Sequence, residues 1–367
     1  MGKRALVCGA GISGLSSGIL LSQMGWDVAV FEKDDELRVA GAGLNLWPNG
    51  VRVLKELGLG PQYEAISASL DYYRTFSSSG EVVAIDDLRD WPDRYGAALS
   101  GVYRRDLSSM LVAGLGPQRL HLGRQVVRIE QTDRVKCWFA NGETAEGDLL
   151  IGADGVQSAV RTSLYGPQDF TSEGLVRWRG LFELANVDVD PLAEVEVWGA
   201  EGHLGYLPIG KGWAYWFAAA SGITDDPEVM KAYFGNWRGS PVPSLVEATD
   251  PATIIRNEIR DFVTPLAQWS TGRVTLVGDA AHPMLPGMAQ GANQALEDVR
   301  ALKTALTSYD DLERALQAYE RERLPLVARV VRQSRSLFDF DEQHGLVSGN
   351  QNPLLARYDR IVERTRA

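Results

Sequence analysis

Short apolar runs separated by stretches of helical period dominate the first part of the chain. Lys3–Cys8 is a compact apolar run. Leu15, Ile19, Leu20 and Met24 then recur at helical spacing, and Asp27–Glu32 is a second run ending in an acid. Strand, helix and strand in that order predict a βαβ unit with parallel strands. Gly41–Asn49 reads as a glycine-rich loop, followed by a helix over Gly50–Leu57 that Gly58 stops. Residues 70–85 alternate like strands, and Arg104–Leu115 has helical period. Val126–Glu130, Val135–Phe139 and Asp148–Ile151 read as strands, with Asn141-Gly142 as a hairpin turn between the last two. Residues 175–220 are strand-rich and aromatic, and 226–260 carry helical pieces and a connecting strand. Val274–Gly278 is a further strand, and Gln290–Leu306, Asp311–Leu337 and Pro353–Arg366 read as helices.

The turn inside the first unit carries chemistry. Gly9-Ala10-Gly11-Ile12-Ser13-Gly14 follows the first strand at once and opens the helix. In that context Gly9 permits a tight turn, Gly11 lets the backbone approach a pyrophosphate, and Gly14 lets helix and strand pack closely. Ile12 and Ser13 lie at the helix N-terminus, whose free N–H groups and positive partial charge favour phosphate. Glu32, with Lys33 beside it, ends the second strand where a carboxylate takes a ribose hydroxyl. This motif by itself does not separate NAD from FAD.

Composition narrows the class. A chain of 367 residues with 45% hydrophobic content is globular, and a formal charge of −11 argues against nucleic acid as a partner. Two cysteines suit a reducing, cytoplasmic setting without a disulfide framework, and the four histidines show no metal-ligand spacing, so no metal is expected. The first strand leaves no room for a signal peptide, and no apolar run approaches the roughly 20 residues of an integral membrane segment.

Two later motifs decide the cofactor. Leu149–Ala153 runs into Asp154-Gly155-Val156-Gln157-Ser158-Ala159-Val160-Arg161. The strand before Gly278 leads into Gly278-Asp279-Ala280-Ala281-His282-Pro283, then Pro286-Gly287-Met288-Ala289-Gln290-Gly291-Ala292-Asn293. With the first loop in this order, the chain over roughly residues 3–335 resembles the class A FAD-dependent aromatic monooxygenases, the para-hydroxybenzoate hydroxylase-like enzymes. Those acting on urate, salicylate and 3-hydroxybenzoate are the most similar. The resemblance implies an α/β fold: a Rossmann-type FAD-binding domain over 1–69, 97–171 and 266–337, interrupted by a strand-rich substrate domain over 70–96 and 172–265, with C-terminal helices and a tail over 338–367. It implies FAD, NADPH or NADH as co-substrate, and O2. The implied activity is hydroxylation of a small aromatic substrate through a flavin hydroperoxide, without a separate reductase. A reductase, cyclase or halogenase on the same fold, or a non-enzymatic FAD-fold binding protein, remains open, although no Trp-x-Trp-x-Ile-Pro halogenase motif occurs.

Carried over by position, Glu32 and Lys33 would bind the AMP ribose, Val126 would meet the adenine, and Arg104 would reach the FAD. Asp154 would assist FAD binding and NAD(P)H use, and Asp279 would hold the ribityl chain. Pro286 and Gly287 to Asn293 would lie beside the flavin, and Gly43 would belong to a mobile loop that lets the flavin move. Ala289 stands where the family's Gly-Gln-Gly has its first glycine; a positive φ there would strain it. For catalysis the candidates are His203, Tyr206, Tyr215, Arg179 and Pro286, with Arg177 nearby. Trp213, Tyr215 and Phe217 alternate onto one strand face and Trp216 onto the other. His203 occupies the place of an arginine used by urate hydroxylases, so urate is expected to be a poor substrate. Arg321, Arg323, Arg329, Arg332 and Arg335 read as a solvated basic helix face, and His282 as part of the scaffold.

Overall fold

The computed structural model describes residues 2–37, 42–171, 176–199, 202–220, 226–258 and 260–344. The tail helix expected over Pro353–Arg366 lies outside them. Arg4–Cys8, Ile12–Gln23 and Asp27–Phe31 form the βαβ unit. The two strands sit at the centre of a six-stranded sheet in the order Ser270–Thr271, Val274–Leu276, Leu149–Gly152, Arg4–Cys8, Asp27–Phe31, Leu120–His121. Every pair is parallel except the 270–271 edge. A parallel strand covered on both faces is apolar throughout, which is why these segments carry apolar runs without alternation. Ile12–Gln23 packs against Arg104–Leu115 and Gly291–Ser308.

The strand-rich insertions form a second, seven-stranded sheet: Ile255–Glu258, Val176–Glu183, Trp213–Ala220, Gly202–Pro208, Ala193–Trp198, Tyr72–Ser77, Val82–Asp87. It is antiparallel except where Ala193–Trp198 meets Tyr72–Ser77. One face buries Trp178, Phe182, Tyr206 and Trp216 beneath the helices Pro227–Phe234 and Val242–Glu247. The other face carries Tyr73, Leu207 and Tyr215 towards Trp47, Leu99 and Met288.

Two local expectations are corrected. Gly43–Leu46 is a strand, paired with Ser100–Tyr103, so the middle of the expected glycine-rich loop is sheet and Pro48 and Asn49 at its end begin the next helix; Gly41 lies outside the described residues. Gly43 is required by packing, since a Cβ there would strike the Tyr215 side chain, and one at Gly101 would strike the Pro208 carbonyl. Asn141-Gly142 turns between Val135–Phe139 and a separate short strand, Thr144–Gly147, ahead of Leu149–Gly152.

The late motif is shaped by a buried polar network centred on Asp298, which is fully buried. Its Oδ2 accepts the Gly278 N–H at 2.9 Å and bonds His282 Nε2 at 2.6 Å; its Oδ1 accepts Arg323 Nε at 2.8 Å. Arg323 Nη2 continues to Gln294 Oε1 at 2.7 Å, and Gln294 Nε2 to Gln290 Oε1 at 3.0 Å, which also accepts Asn49 Nδ2 at 3.1 Å. Asn293 closes the circuit by accepting the Trp47 N–H and donating to the Ala289 carbonyl. The basic stretch is thus not wholly a solvated face: Arg323 is only 2% exposed, and Arg335 pairs with Asp261. A sequence window cannot tell a helix face turned to water from one turned to a buried acid.

Ala289 has φ 49° and ψ 29°, the left-handed region. An L-residue there costs about 1–2 kcal/mol, and the hydrogen bond to its carbonyl holds it in place. Ala289→Gly is therefore expected to stabilise the chain by about 0.5–1 kcal/mol once glycine's own entropy is counted. In a thermal melt this should appear as a rise of roughly 1–2 °C; a fall would show that the alanine is unstrained.

Burial pushes the Asp298 carboxyl up, but the charges of His282 and Arg323 and the hydrogen bonds from His282 and the Gly278 N–H outweigh it and hold the group below the usual carboxylate range. A depressed folded-state value stabilises the fold above the unfolded value of about 4, and that stabilisation disappears as pH falls through the folded value. Asp298→Asn should cost about 3–5 kcal/mol near neutrality, because Arg323 is left buried without its countercharge. It should also flatten the loss of stability below about pH 4. Denaturant titrations at pH 7 and pH 3 test both expectations.

Candidate active site

The first loop is built for close approach. Gly9 has φ 101°, and a Cβ on it would strike the Ala153 carbonyl; one on Gly14 would strike the Gly9 carbonyl. Gly11 differs, with nothing within 4 Å of a Cβ. It faces open space at the N-terminus of Ile12–Gln23, where a phosphate has access to the backbone. Glu32 Oε2 accepts the Ala10 N–H at 2.8 Å and Oε1 the Lys33 N–H at 2.9 Å. The carboxylate therefore braces the loop and sets the acid beside it. Val126 is buried at the start of a strand, paired with Phe139.

Asp154 has a structural role beside the cofactor role that the resemblance implies. Its carboxylate accepts the Ser158 hydroxyl and the Ala159 and Val160 N–H groups. It caps the Ala159–Tyr165 helix, and Ser158 accepts the Arg161 N–H at 2.9 Å. Arg161 then donates to the Ala280 carbonyl at 3.0 Å. The Asp-Gly-x-x-Ser-x-x-Arg segment thus works as a capped turn that ties itself to the Gly-Asp-Ala-Ala-His segment.

Arg104 and Asp279 are accessible within a cleft that protein atoms crowd. Desolvation lowers the Arg104 value, with the Asp279 charge opposing it. The same desolvation raises Asp279, with His282 and Arg104 pulling it back. Asp279 makes no hydrogen bond to another described residue, which leaves its oxygens for a ligand. Pro286–Met288 forms a single turn, and Ala289 and Gln290 lead into the N-terminus of Gly291–Ser308. The 18-residue helix presents positive partial charge to whatever occupies the cleft.

The seven-stranded sheet supplies the other wall. Strand register places Arg177, Arg179, Tyr215, Phe217, His203, Glu194 and Glu196 on the face that carries Tyr73 and Leu207. Tyr206 is a correction: it alternates onto the opposite face, against Phe182 and under the helices, away from this cleft. Burial pushes the Tyr215 phenol up, against the charges of Arg179 and Arg177, so it stays protonated and able to donate. His203 stacks on Trp198 with centroids 4.6 Å apart. Burial, then Arg177, drives it well below the usual histidine range, and it is neutral near pH 7.

Glu194 and Glu196 are functional candidates that the sequence reading passed over. Burial, reinforced by the charge of Glu196, pushes Glu194 up to about 8, although it accepts Asn45 Nδ2 at 3.0 Å. Burial also raises Glu196, which is held by Tyr73, by Trp198 Nε1 at 3.1 Å and by the charge of Arg177. A signal existed: acids at alternate positions in Ala193–Trp198, on a strand whose other positions are apolar, lie on one face.

The comparisons with known proteins agree with this geometry. The family model "FAD binding domain" matches residues 3–334. The chain is 34% identical to an FAD-dependent urate hydroxylase of Klebsiella pneumoniae subsp. pneumoniae, covering 92% of this chain and 90% of that one. It is 38% identical to a 3-amino-4-hydroxybenzoate 2-monooxygenase of Streptomyces cremeus, covering 91% and 86%. The crystal structure of Klebsiella pneumoniae HpxO complexed with FAD and uric acid superposes with a TM-score of 0.85 at 31% identity, over 98% of this chain and 93% of that one. The phosphate loop, the late loop and the length of the match agree: this chain belongs to the FAD binding domain family, among the class A aromatic hydroxylases.

Proposed function

We propose that this chain is a single-component hydroxylase that uses NADPH or NADH and O2 to place one oxygen atom on a small electron-rich aromatic molecule, working in the cytoplasm without a separate reductase. The observation that carries this reading is the continuity of the cleft. Tyr215 of the sheet face shares one buried apolar cluster with Trp47 and with Met288 of the late loop, and the Gly43 backbone lies directly against its side chain. The cofactor end and the aromatic sheet face are therefore one site.

The residues fit FAD. Gly11 leaves room for the pyrophosphate, and Asp279 and Arg104 stand accessible in the cleft. Gly9, Ile12, Ser13 and Gly14 would hold the phosphates, Glu32 and Lys33 the AMP ribose, Val126 the adenine, and Arg104 and Asp279 the ribityl region. Pro286, Gly287 and Ala289 to Asn293 would lie along the flavin. When bound, FAD would supply hydride acceptance from the nicotinamide and activation of O2. The protein's part is to orient the ring, exclude water and place protons. Tyr215 donates a hydrogen bond to a ring substituent, Arg179 supplies positive charge, and Phe217 and Leu181 contribute apolar wall. Gly43, wedged against Tyr215, sets the distance between the cofactor side and the ring rather than serving as a hinge.

The relatives point to small oxygen- and nitrogen-bearing rings, since their names include urate, 3-amino-4-hydroxybenzoate and 6-hydroxynicotinate. The test is a panel of aromatic metabolites, urate included, scored for NAD(P)H oxidation by the FAD-loaded chain. A true substrate should accelerate oxidation by orders of magnitude, and urate should not. Under ¹⁸O₂ one labelled atom should enter the product and the other should leave as water. Turnover of a substrate with no label in the product would replace this reading with a reductase or oxidase.

A second expectation concerns the ribityl contact. A hydrogen bond to a carboxylate is worth roughly 1.5–3 kcal/mol, so Asp279→Ala should weaken FAD binding by about one to two orders of magnitude. Fluorescence titration of apoprotein measures this, and an unchanged dissociation constant would remove Asp279 from the cofactor site.

A further inference from the structure

Five residues stand in one row across the seven-stranded sheet: Arg179, Phe217, Gly205, Glu196 and Thr75. The Phe217 ring lies over Gly205, where a side chain would collide with it. Arg179 and Glu196 are both half-buried at the two sides of this floor. Their backbones are three strand spacings apart, about 14 Å, and both side chains rise on the same face. That separation suits one aromatic ring with a polar substituent at each edge.

The two ends have opposite chemistry. Glu196 uses its carboxyl on Trp198 Nε1 and on Tyr73, with the Arg177 charge beside it; a carboxylate has about four lone-pair sites, so acceptor capacity is left. Arg179 Nε is buried with no hydrogen-bond partner among the described residues, and its guanidinium suits an anion. Glu194 is the contrasting acid. It is 1% exposed and already bonded to Asn45, so it is packed away from a ligand while Glu196 is reachable.

We propose that Glu196 determines substrate specificity: it accepts a hydrogen bond from an N–H or O–H on one edge of an aromatic ring whose opposite edge carries an anionic group held by Arg179. The substrate class is then an amino- or hydroxy-substituted aromatic acid. This rests on the hydroxylase reading above for the position of the ring, but its test does not depend on turnover.

The experiment titrates the FAD-loaded full chain and follows the perturbation of the flavin spectrum. The ligands are benzoate, 3-hydroxybenzoate, 3-aminobenzoate, 3-dimethylaminobenzoate and 3-aminobenzamide. The hydroxy and amino acids are expected to bind at least about tenfold tighter than benzoate, the effect of one good hydrogen bond. The dimethylamino acid, which cannot donate, should lose that advantage. Glu196→Leu should reduce the preference to within about twofold, whereas Glu196→Gln, which still accepts, should keep most of it. Arg179→Gln should weaken the benzoates and leave the benzamide unchanged. The dimethylamino comparison uses the unaltered protein and so holds even where Glu196→Leu does not fold. Equal binding of benzoate and its amino or hydroxy derivatives, or a preference that survives in Glu196→Leu, overturns the proposal. If rings lacking both groups stimulate NAD(P)H oxidation and these acids do not bind, Glu196 is misassigned and the hydroxylase reading stands. If no aromatic compound stimulates oxidation, the hydroxylase reading falls on its own.

Discussion

The geometry of the cofactor end depends on one buried charge. Asp298 has no exposure, and such a carboxylate persists only where its countercharge and hydrogen bonds are complete. Arg323 provides the charge; His282 and the Gly278 N–H provide the bonds. The donors come from two separated parts of the chain, the late loop itself and the helix that carries Arg323, and the acceptor from a third, so the late loop is held by residues outside it. Gln294, Gln290 and Asn49 extend the same network to the helix Pro48–Glu56, which follows the strand that packs on Tyr215. A network of this kind is satisfied as a whole or not at all. It therefore fixes the backbone around Asp279 and Ala289 more firmly than loop propensity could.

The junction between the small sheet of Gly43–Leu46 and Ser100–Tyr103 and the seven-stranded sheet is a second constraint, and it is steric. Gly43 and Gly101 let backbone lie directly on Tyr215 and on the Pro208 carbonyl. Side chains there would push the cofactor side away from the ring-bearing face. The same close contact buries Glu194 under Asn45 and keeps Tyr215 protonated. Packing and proton placement in this cleft therefore have one cause. A tight, poorly solvated junction favours neutral forms of tyrosine, histidine and glutamic acid, and it leaves the arginines as the fixed charges.

Much of the fold was legible in the sequence. The strand–loop–helix–strand pattern, the three ordered motifs and the aromatic alternation of Trp213–Phe217 all reflect short-range rules: strand period, helix period and glycine turn geometry. Ala289 could even be marked as a strained position before its φ was known. These local rules determined the α/β class and the residues that line the phosphate loop, while the FAD family came from the resemblance that the three motifs carry.

Tertiary structure decided what each side chain faces. Tyr206 and Tyr215 are equally aromatic and lie in adjacent strands, yet register turns one under the helices and the other into the cleft. Asp154 and Asp279 both follow buried strands within motifs, but one caps its own turn and the other is left open to a ligand. Arg323, read as a surface charge, is the buried partner of an acid 25 residues away in the chain. Glu196, unremarked in the sequence, stands reachable across a row of strands from Arg179. The physical reason is common to all four. A side chain's role depends on its electrostatic and steric surroundings, which come from segments distant in sequence, whereas the period and turn chemistry that specify an element are contained within it.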